Sequence, residues 1–288
     1  MRYQILHITD YSYSQPIVLG PHVLYLCPRS DSYQTLDQFS IDIDPAPELV
    51  SKQLDLFGNV CMSIWFSNKA TSYLRIHTRS NVKTHCTNPF NYLVEPWATT
   101  LPVDYPTSVL TGLQPYLHQS STLAISANVT DLAQQVQHEV NYHLNRFLTT
   151  LTRCIYDRCT YVVREKGAPL SSGITWRNKE GTCRDFAVLF IDACRAVGVA
   201  ARFVSGYQEG DPDRTNHDLH AWVEAYVPGG GWRGFDPTHG LAVTDRHIVL
   251  AVGAYPKQAA PVSGSIREGQ AIQSTLMTHI SVHQLSGV

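Results

Sequence analysis

Of seven cysteines, at positions 27, 61, 86, 154, 159, 183 and 194, one stands in a setting suited to nucleophilic chemistry. The stretch Gly181-Thr182-Cys183-Arg184-Asp185-Phe186-Ala187 pairs a Thr-x-x-Asp helix start with a cysteine in the first turn. First-turn N–H groups have no intrahelical partner, and the positive helix end favours a thiolate. Such thiols ionise readily beside a histidine, and the same N–H groups can stabilise an oxyanion. Phe186, Leu189, Phe190, Ala193, Cys194 and Val197 make the apolar face of this helix, and Gly198 suits its end. Cys194 on that face reads as a packing residue, the ordinary fate of a free cysteine.

A thiolate nucleophile needs a base, and the base needs a carboxylate to orient it. His220, Trp222, Glu224 and Tyr226 alternate with Leu219, Ala221, Val223, Ala225 and Val227, so a strand would turn His220 away from the small apolar set. Pro228-Gly229-Gly230-Gly231 is a turn, and Trp232 to Asp236 form a returning strand that Pro237 ends. If that loop were even in length, His239 would lie opposite His220 and Asp236 would face the wrong way. The triad therefore requires an odd loop, Pro228 to Gly230, or a bulge, with Asp236 opposite Trp222 and diagonal to His220.

Other side chains invite chemistry less strongly. His217, Asp218 and His220, with His239, suggest metal ligands, but their spacing matches no established zinc pattern, and no metal or other cofactor is expected. Cys154 and Cys159 fit core packing better than ligation. Tyr161, Trp176, Trp222, Glu224 and His217 are candidates for the walls of a substrate pocket; ordinary packing or solvent exposure competes with that reading for each. Asp211, Asp213 and Asp218 add some acidity, but no compact acidic cluster that would collect an amine is evident.

The elements that must position these residues fall into two halves. Residues 2–8, 22–28, 38–44, 59–67 and 72–80 alternate like short strands, separated by turn signals such as Asp44-Pro45-Ala46-Pro47. They predict an antiparallel β-sandwich-like N-terminal domain, residues 1–120. Five prolines between Asn88 and Pro115 predict a connector with little regular structure. A helix is expected from Thr130 or Asp131 along the stripe Leu132, Val136, Val140, Leu144, Phe147, Leu148 and Leu151. With the Cys183 helix and the strands after it, residues 121–288 form an α+β domain, and the strands within 270–288 are placed to pair with the N-terminal sheet.

Composition narrows the function classes. The 288 residues are 43% hydrophobic, enough for a sizeable core, and 22 Lys+Arg against 24 Asp+Glu leave no charge to drive binding to nucleic acid or an anionic membrane. There is no run of roughly 20 apolar residues to span a bilayer. The polar opening lacks the apolar stretch of a secretory signal, so a cytoplasmic location with reduced thiols is expected.

The Cys183 segment through Tyr207, and His220 through Gly240, resemble the transglutaminase-like cysteine-enzyme superfamily in its bacterial branch, whose members are often described as candidate cysteine proteases. His7-Ile8-Thr9-Asp10-Tyr11-Ser12-Tyr13, Pro28-Arg29 and Asp55-Leu56-Phe57-Gly58-Asn59 resemble that branch's own N-terminal region. The resemblance implies a papain-like catalytic core with Cys183 as nucleophile, His220 as base and Asp236 as orienting acid. Two departures stand out: Gly253-Ala254-Tyr255 where the family has Gly-Arg-Asp, and His239 where Asn is common.

The expected activity is acyl transfer from a peptide or protein amide through a Cys183 thioester, ending in hydrolysis. A transglutaminase that passes the acyl group to an amine is the alternative. A non-catalytic binding module on the same fold ranks below both, because all three triad residues are present.

Overall fold

In the computed structural model, which describes residues 1–118, 124–164, 167–210, 218–267 and 272–285, the N-terminal half is built around β1 (Arg2–Leu24). β2 (Gln34–Asp44), β3 (Leu49–Leu54), β4 (Val60–Trp65) and β5 (Ala70–Thr84) follow it. Tyr3, Ile5, His7 and Thr9 alternate inward along β1, as a strand with one buried face requires. The two short strands expected at 2–8 and 22–28 are thus one strand. Its register against β5 shifts between Ser12 and Ile17, beside Pro16, which has no N–H to give. The first part of β1 pairs with β5, and its end pairs with β4, so one bent strand serves both sheet faces.

Helices come next: α1 (Thr107–Leu117), α2 (Ala127–Glu139) and α3 (Leu144–Arg158), then β6 (Thr160–Tyr161), α4 (Ser172–Asn178), β7 (Glu180–Gly181) and α5 (Cys183–Ala196). Two expectations are corrected here. The connector contains α1, which begins directly after Pro106, and the stripe from Leu132 to Leu151 belongs to two helices. Asn141 and Tyr142 take φ of 51° and 62° and break it. Both pieces bury their share of the same stripe, so the periodicity carries across the break.

β8 (Ala201–Gln208), β9 (His220–Val227), β10 (Gly231–Asp236), β11 (Leu241–Ala242) and β12 (His247–Gly253) form an antiparallel sheet in the order β11-β10-β9-β8-β12. Ala221, Val223, Ala225 and Val227 bury against a core shared with Phe186, Leu189 and Phe190 of α5. The chain then returns: β13 (Val262–Ile266) and β14 (Ser274–Gln284) both pair with β1, β14 along Tyr3 to Tyr13. Among the described residues no helix is long and apolar enough to cross a membrane.

The two halves share a core, since Tyr207, Ile248 and Leu250 of β8 and β12 pack among the N-terminal strands. β12 is an edge strand, and an unpaired edge leaves backbone groups unsatisfied. Side-chain amides cover it. Gln34 bonds both the N–H and the C=O of Val249, at 2.7 and 2.9 Å, and Asn59 does the same for Val252, at 2.8 and 2.7 Å. Arg29 in turn donates to Asn59 and to the Phe57 carbonyl. The Pro28-Arg29 and Asp55 to Asn59 motifs are therefore the device that docks the N-terminal half on the sheet.

His7 lies in this junction, its Nδ1 sharing a 2.9 Å hydrogen bond with the Tyr207 hydroxyl. Burial pulls its pKa from 6.5 down to about 4. Between those values the unfolded chain binds a proton that the folded chain refuses, so stability present above pH 6.5 is lost as the pH falls toward 4. The separation corresponds to about 3 kcal/mol for this one group. Urea unfolding across that window should show the decline, and His7→Gln should flatten it.

Candidate active site

The start of α5 is fixed by a capping box. Asp185 accepts from the N–H and the hydroxyl of Thr182, both at 2.8 Å. It also accepts from the Leu170 N–H at 2.7 Å and from Arg164 Nη2 at 2.6 Å. Burial works against ionisation of Asp185, but these donors outweigh it and hold its pKa below the usual value. Gly181 is needed just before, because a Cβ there would stand 2.9 Å from Cβ of Asp185. Cys183 is thereby held at the first turn, half-buried, with β6 paired beside it through Tyr161 and Gly181.

Strands β9 and β10 supply the partners. Gly231 pairs with Val227 and Phe235 with Val223, so the loop is the odd, three-residue Pro228 to Gly230. Gly229 at φ 83° makes the turn. This register continues to Asp236 opposite Trp222, as the triad requires, and His220 Nε2 meets Asp236 Oδ2 diagonally at 2.8 Å. Asp236 leaves Nδ1 as the other ring nitrogen, and His220 stands near enough to Cys183 for the sulfur to act on its charge. Burial alone would lower the His220 pKa; the Asp236 carboxylate and the Cys183 sulfur reverse that and push it well above the ordinary range.

Asp236 is fully buried. Burial opposes its charge, but His220, His239 and His247 hold its pKa well below the usual carboxylate range. Thr238 N–H, at 2.9 Å, completes the cradle on Oδ1. Trp222 is wholly buried behind His220, with ring centroids 6.0 Å apart, and packs among Val204, Val249 and Val252. A Cβ at Gly206 would fall 2.6 Å from the Trp222 ring, so only glycine leaves space for the indole.

The remaining expected pocket residues are dispersed. Tyr161 is exposed and close enough to Cys183 and Asp218 to sense their charges. Trp176, on α4, borders a groove lined by Ser126, Ala127, Asn128, Arg177 and Lys179, a lining without Cys183. Glu224 does share the face of His220, but it is tied to Arg202 in a 2.6 Å ion pair. His217, Asp211 and Asp213 lie outside the described residues. His247 was missed by sequence reasoning: it opens β12, and no local pattern links it to β10.

Among the described residues the ligand atoms of His220, Asp236 and His247 come within 4.8 Å of one another. They do not surround a common centre. The two nitrogens approach the same carboxylate oxygen at 2.8 and 3.1 Å, which is hydrogen bonding rather than a cage for an ion.

A thiol at a helix start, an imidazole at a strand end and a buried carboxylate on the next strand, on a helix packed against an antiparallel sheet, define a papain-like α+β core. Residues 3–83 match the family model described as the bacterial transglutaminase-like N-terminal region, and residues 126–237 match that of the transglutaminase-like superfamily. The chain belongs to the transglutaminase-like superfamily. It is similar to an uncharacterised protein of Mycobacterium tuberculosis, 29% identical over 285 residues that cover 92% of this chain and 87% of the other. A shorter likeness, 37% identity over 71 residues, links 22% of it to 11% of a protein-glutamine gamma-glutamyltransferase of Pseudomonas aeruginosa. In fold it resembles a candidate cysteine protease from Cytophaga hutchinsonii, with TM-score 0.73 and 22% identity over 100% of this chain and 92% of that one.

Two outcomes are expected. Burial raises the thiol pKa of Cys27, Cys86, Cys154, Cys159 and Cys194. At pH 7 a small alkylating agent should therefore label Cys183 first, and His220→Ala should slow it, as peptide mapping over time would show. Asp185→Ala strands several buried donors and should cost about 2–4 kcal/mol in urea unfolding, while also slowing that labelling.

Proposed function

We propose that the chain is a cysteine-nucleophile acyl-transfer enzyme that opens an amide bond of a peptide or protein through a Cys183 thioester. One observation carries the reading: Cys183, at the start of α5, stands near an imidazole whose Nε2 is held at 2.8 Å by a buried, ionised carboxylate. The sulfur attacks the carbonyl carbon, and the C–N bond breaks as the His220 imidazolium gives its proton to the departing amine. Water then attacks the thioester, His220 takes a proton from it, and the thiol is restored as the acid leaves. Asp236 keeps the imidazole in the orientation that serves both steps. The Cys183 N–H, without an intrahelical partner at the first turn, is the donor for the oxyanion.

An amine in place of water would make the same site a transglutaminase, a reading favoured by the stretch shared with the Pseudomonas glutamyltransferase. Transfer demands a site that raises the local amine concentration, and such positioning is worth ~7–11 kcal/mol in favourable cases. Glu224, the acidic candidate on the His220 face, is already engaged by Arg202. Hydrolysis is therefore preferred.

The partition of a labelled acyl-enzyme between acid and amide products, with a lysine analogue titrated through the millimolar range, distinguishes the two. Acid should predominate throughout. Saturating amide formation at low amine would establish an acceptor site and reverse the choice. Cys183→Ala should abolish both products.

A further inference from the structure

Three imidazoles converge on one atom. His220 Nε2 and His239 Nδ1 each stand 2.8 Å from Asp236 Oδ2, and His247 Nε2 stands 3.1 Å from it. A carboxylate oxygen offers two lone pairs, so three N–H donors divide its charge rather than each taking a full share. The other oxygen is occupied by the backbone N–H groups of Thr238, at 2.9 Å, and His239, at 3.3 Å. No further acceptor site on the carboxylate relieves the crowding.

We propose that His239 and His247 are positioning residues acting through Asp236: by donating to the oxygen that His220 uses, they loosen its hold on the His220 imidazolium and keep that ring able to release its proton. The inference rests on the acyl-transfer reading above. A general acid works best when its proton is neither too loose nor too tight. A buried carboxylate devoted to a single imidazole would bind the proton too firmly for delivery to the leaving amine. Two competing donors temper it.

The two histidines come from opposite sides. His239 sits in the turn after β10, its side chain 41% exposed and its ring centroid 5.2 Å from that of His220. His247 is buried at the start of β12, edge-on to Trp222 at 5.2 Å. Facing a carboxylate, its Nε2 must carry the proton, and burial keeps the ring neutral by lowering its pKa. Two residues on, Val249 is clamped by Gln34. The N-terminal half thus reaches the candidate triad through His247.

Other titratable groups are accounted for. On the thiol side, Tyr161 stands near enough to Cys183, Arg184 and Asp218 to feel their charges. Asp31, Cys86, Glu224 and Arg233 border the small cavity that His247 also lines. Glu224 is paired with Arg202, and Arg233 stacks on Tyr33 and Tyr92. Asp236 takes its side-chain donors from the three histidines alone among the described residues.

The test uses the full chain and needs no natural substrate. Iodoacetate is an anion, so its attack on Cys183 slows when His220 loses its charge, and the alkaline limb of the rate profile reports that loss. His239→Ala and His247→Leu should each move this limb upward by about half a pH unit. His239→Asn and His247→Gln restore one N–H donor and should bring it back toward the wild type, a rescue that simple packing damage would not produce. If His247→Leu fails to fold, the exposed His239 pair decides alone. A limb that stays in place or moves downward in His239→Ala overturns the proposal. A wild-type profile in which Cys183 behaves as an isolated thiol would instead remove the acyl-transfer reading on which it stands.

Discussion

A carboxylate with no exposed surface, and with neither lysine nor arginine bonded to it among the described residues, is the constraint around which this molecule is arranged. Removing such a charge from water costs several kcal/mol, recovered only when its lone pairs find donors in good geometry. Asp236 finds them on three sides. β10 must stop at Pro237 so that the following turn can aim the Thr238 N–H at Oδ1. β9 must be offset by an odd loop so that His220 falls on the same face, and β12 must begin where His247 can reach. The direction of the His220 ring, and with it the position available to the Cys183 thiol, follows from satisfying that one group.

The N-terminal half belongs to the same scheme. Its strands close with β13 and β14, which are contributed by the far end of the chain, so the two halves are tied at both ends. At their junction Gln34 and Asn59 pair with the outer edge of β12 as a neighbouring strand would, while adding no strand that could slip in register. Arg29 steadies Asn59. These side chains act on β12 and, through His247, on the carboxylate. The N-terminal strands keep a sheet of their own, docked through Gln34 and Asn59 on the edge of the sheet that carries His220 and Asp236.

Much of the site was legible in the sequence because its parts are local. Thr182 and Asp185 are three residues apart and announce the helix start; a glycine turn between His220 and Asp236 limits the register to the odd loop that was found. What escaped depends on distant contacts. β8 and β9 separate β12 from β10 in the sheet, so nothing in the run His247 to Val252 points to Asp236. Trp222 shares a strand face with His220, yet its burial depends on Gly206 and β12, so its place behind the ring could not be told from a place in a pocket. Asn141 and Tyr142 end α2 in left-handed conformations without interrupting the apolar stripe, and only the Asn hinted at the break.

The central claim is that Cys183 accepts an acyl group and passes it on. Acid-quenched mass spectrometry of the protein mixed with an activated acyl donor, such as a peptide aryl ester, tests it most directly. The account predicts a hydroxylamine-labile acyl group confined to the peptide containing Cys183, formed rapidly, renewed over many turnovers and lost in Cys183→Ala. An acyl group found instead on another residue, or one that remains on Cys183 without turning over, would contradict it.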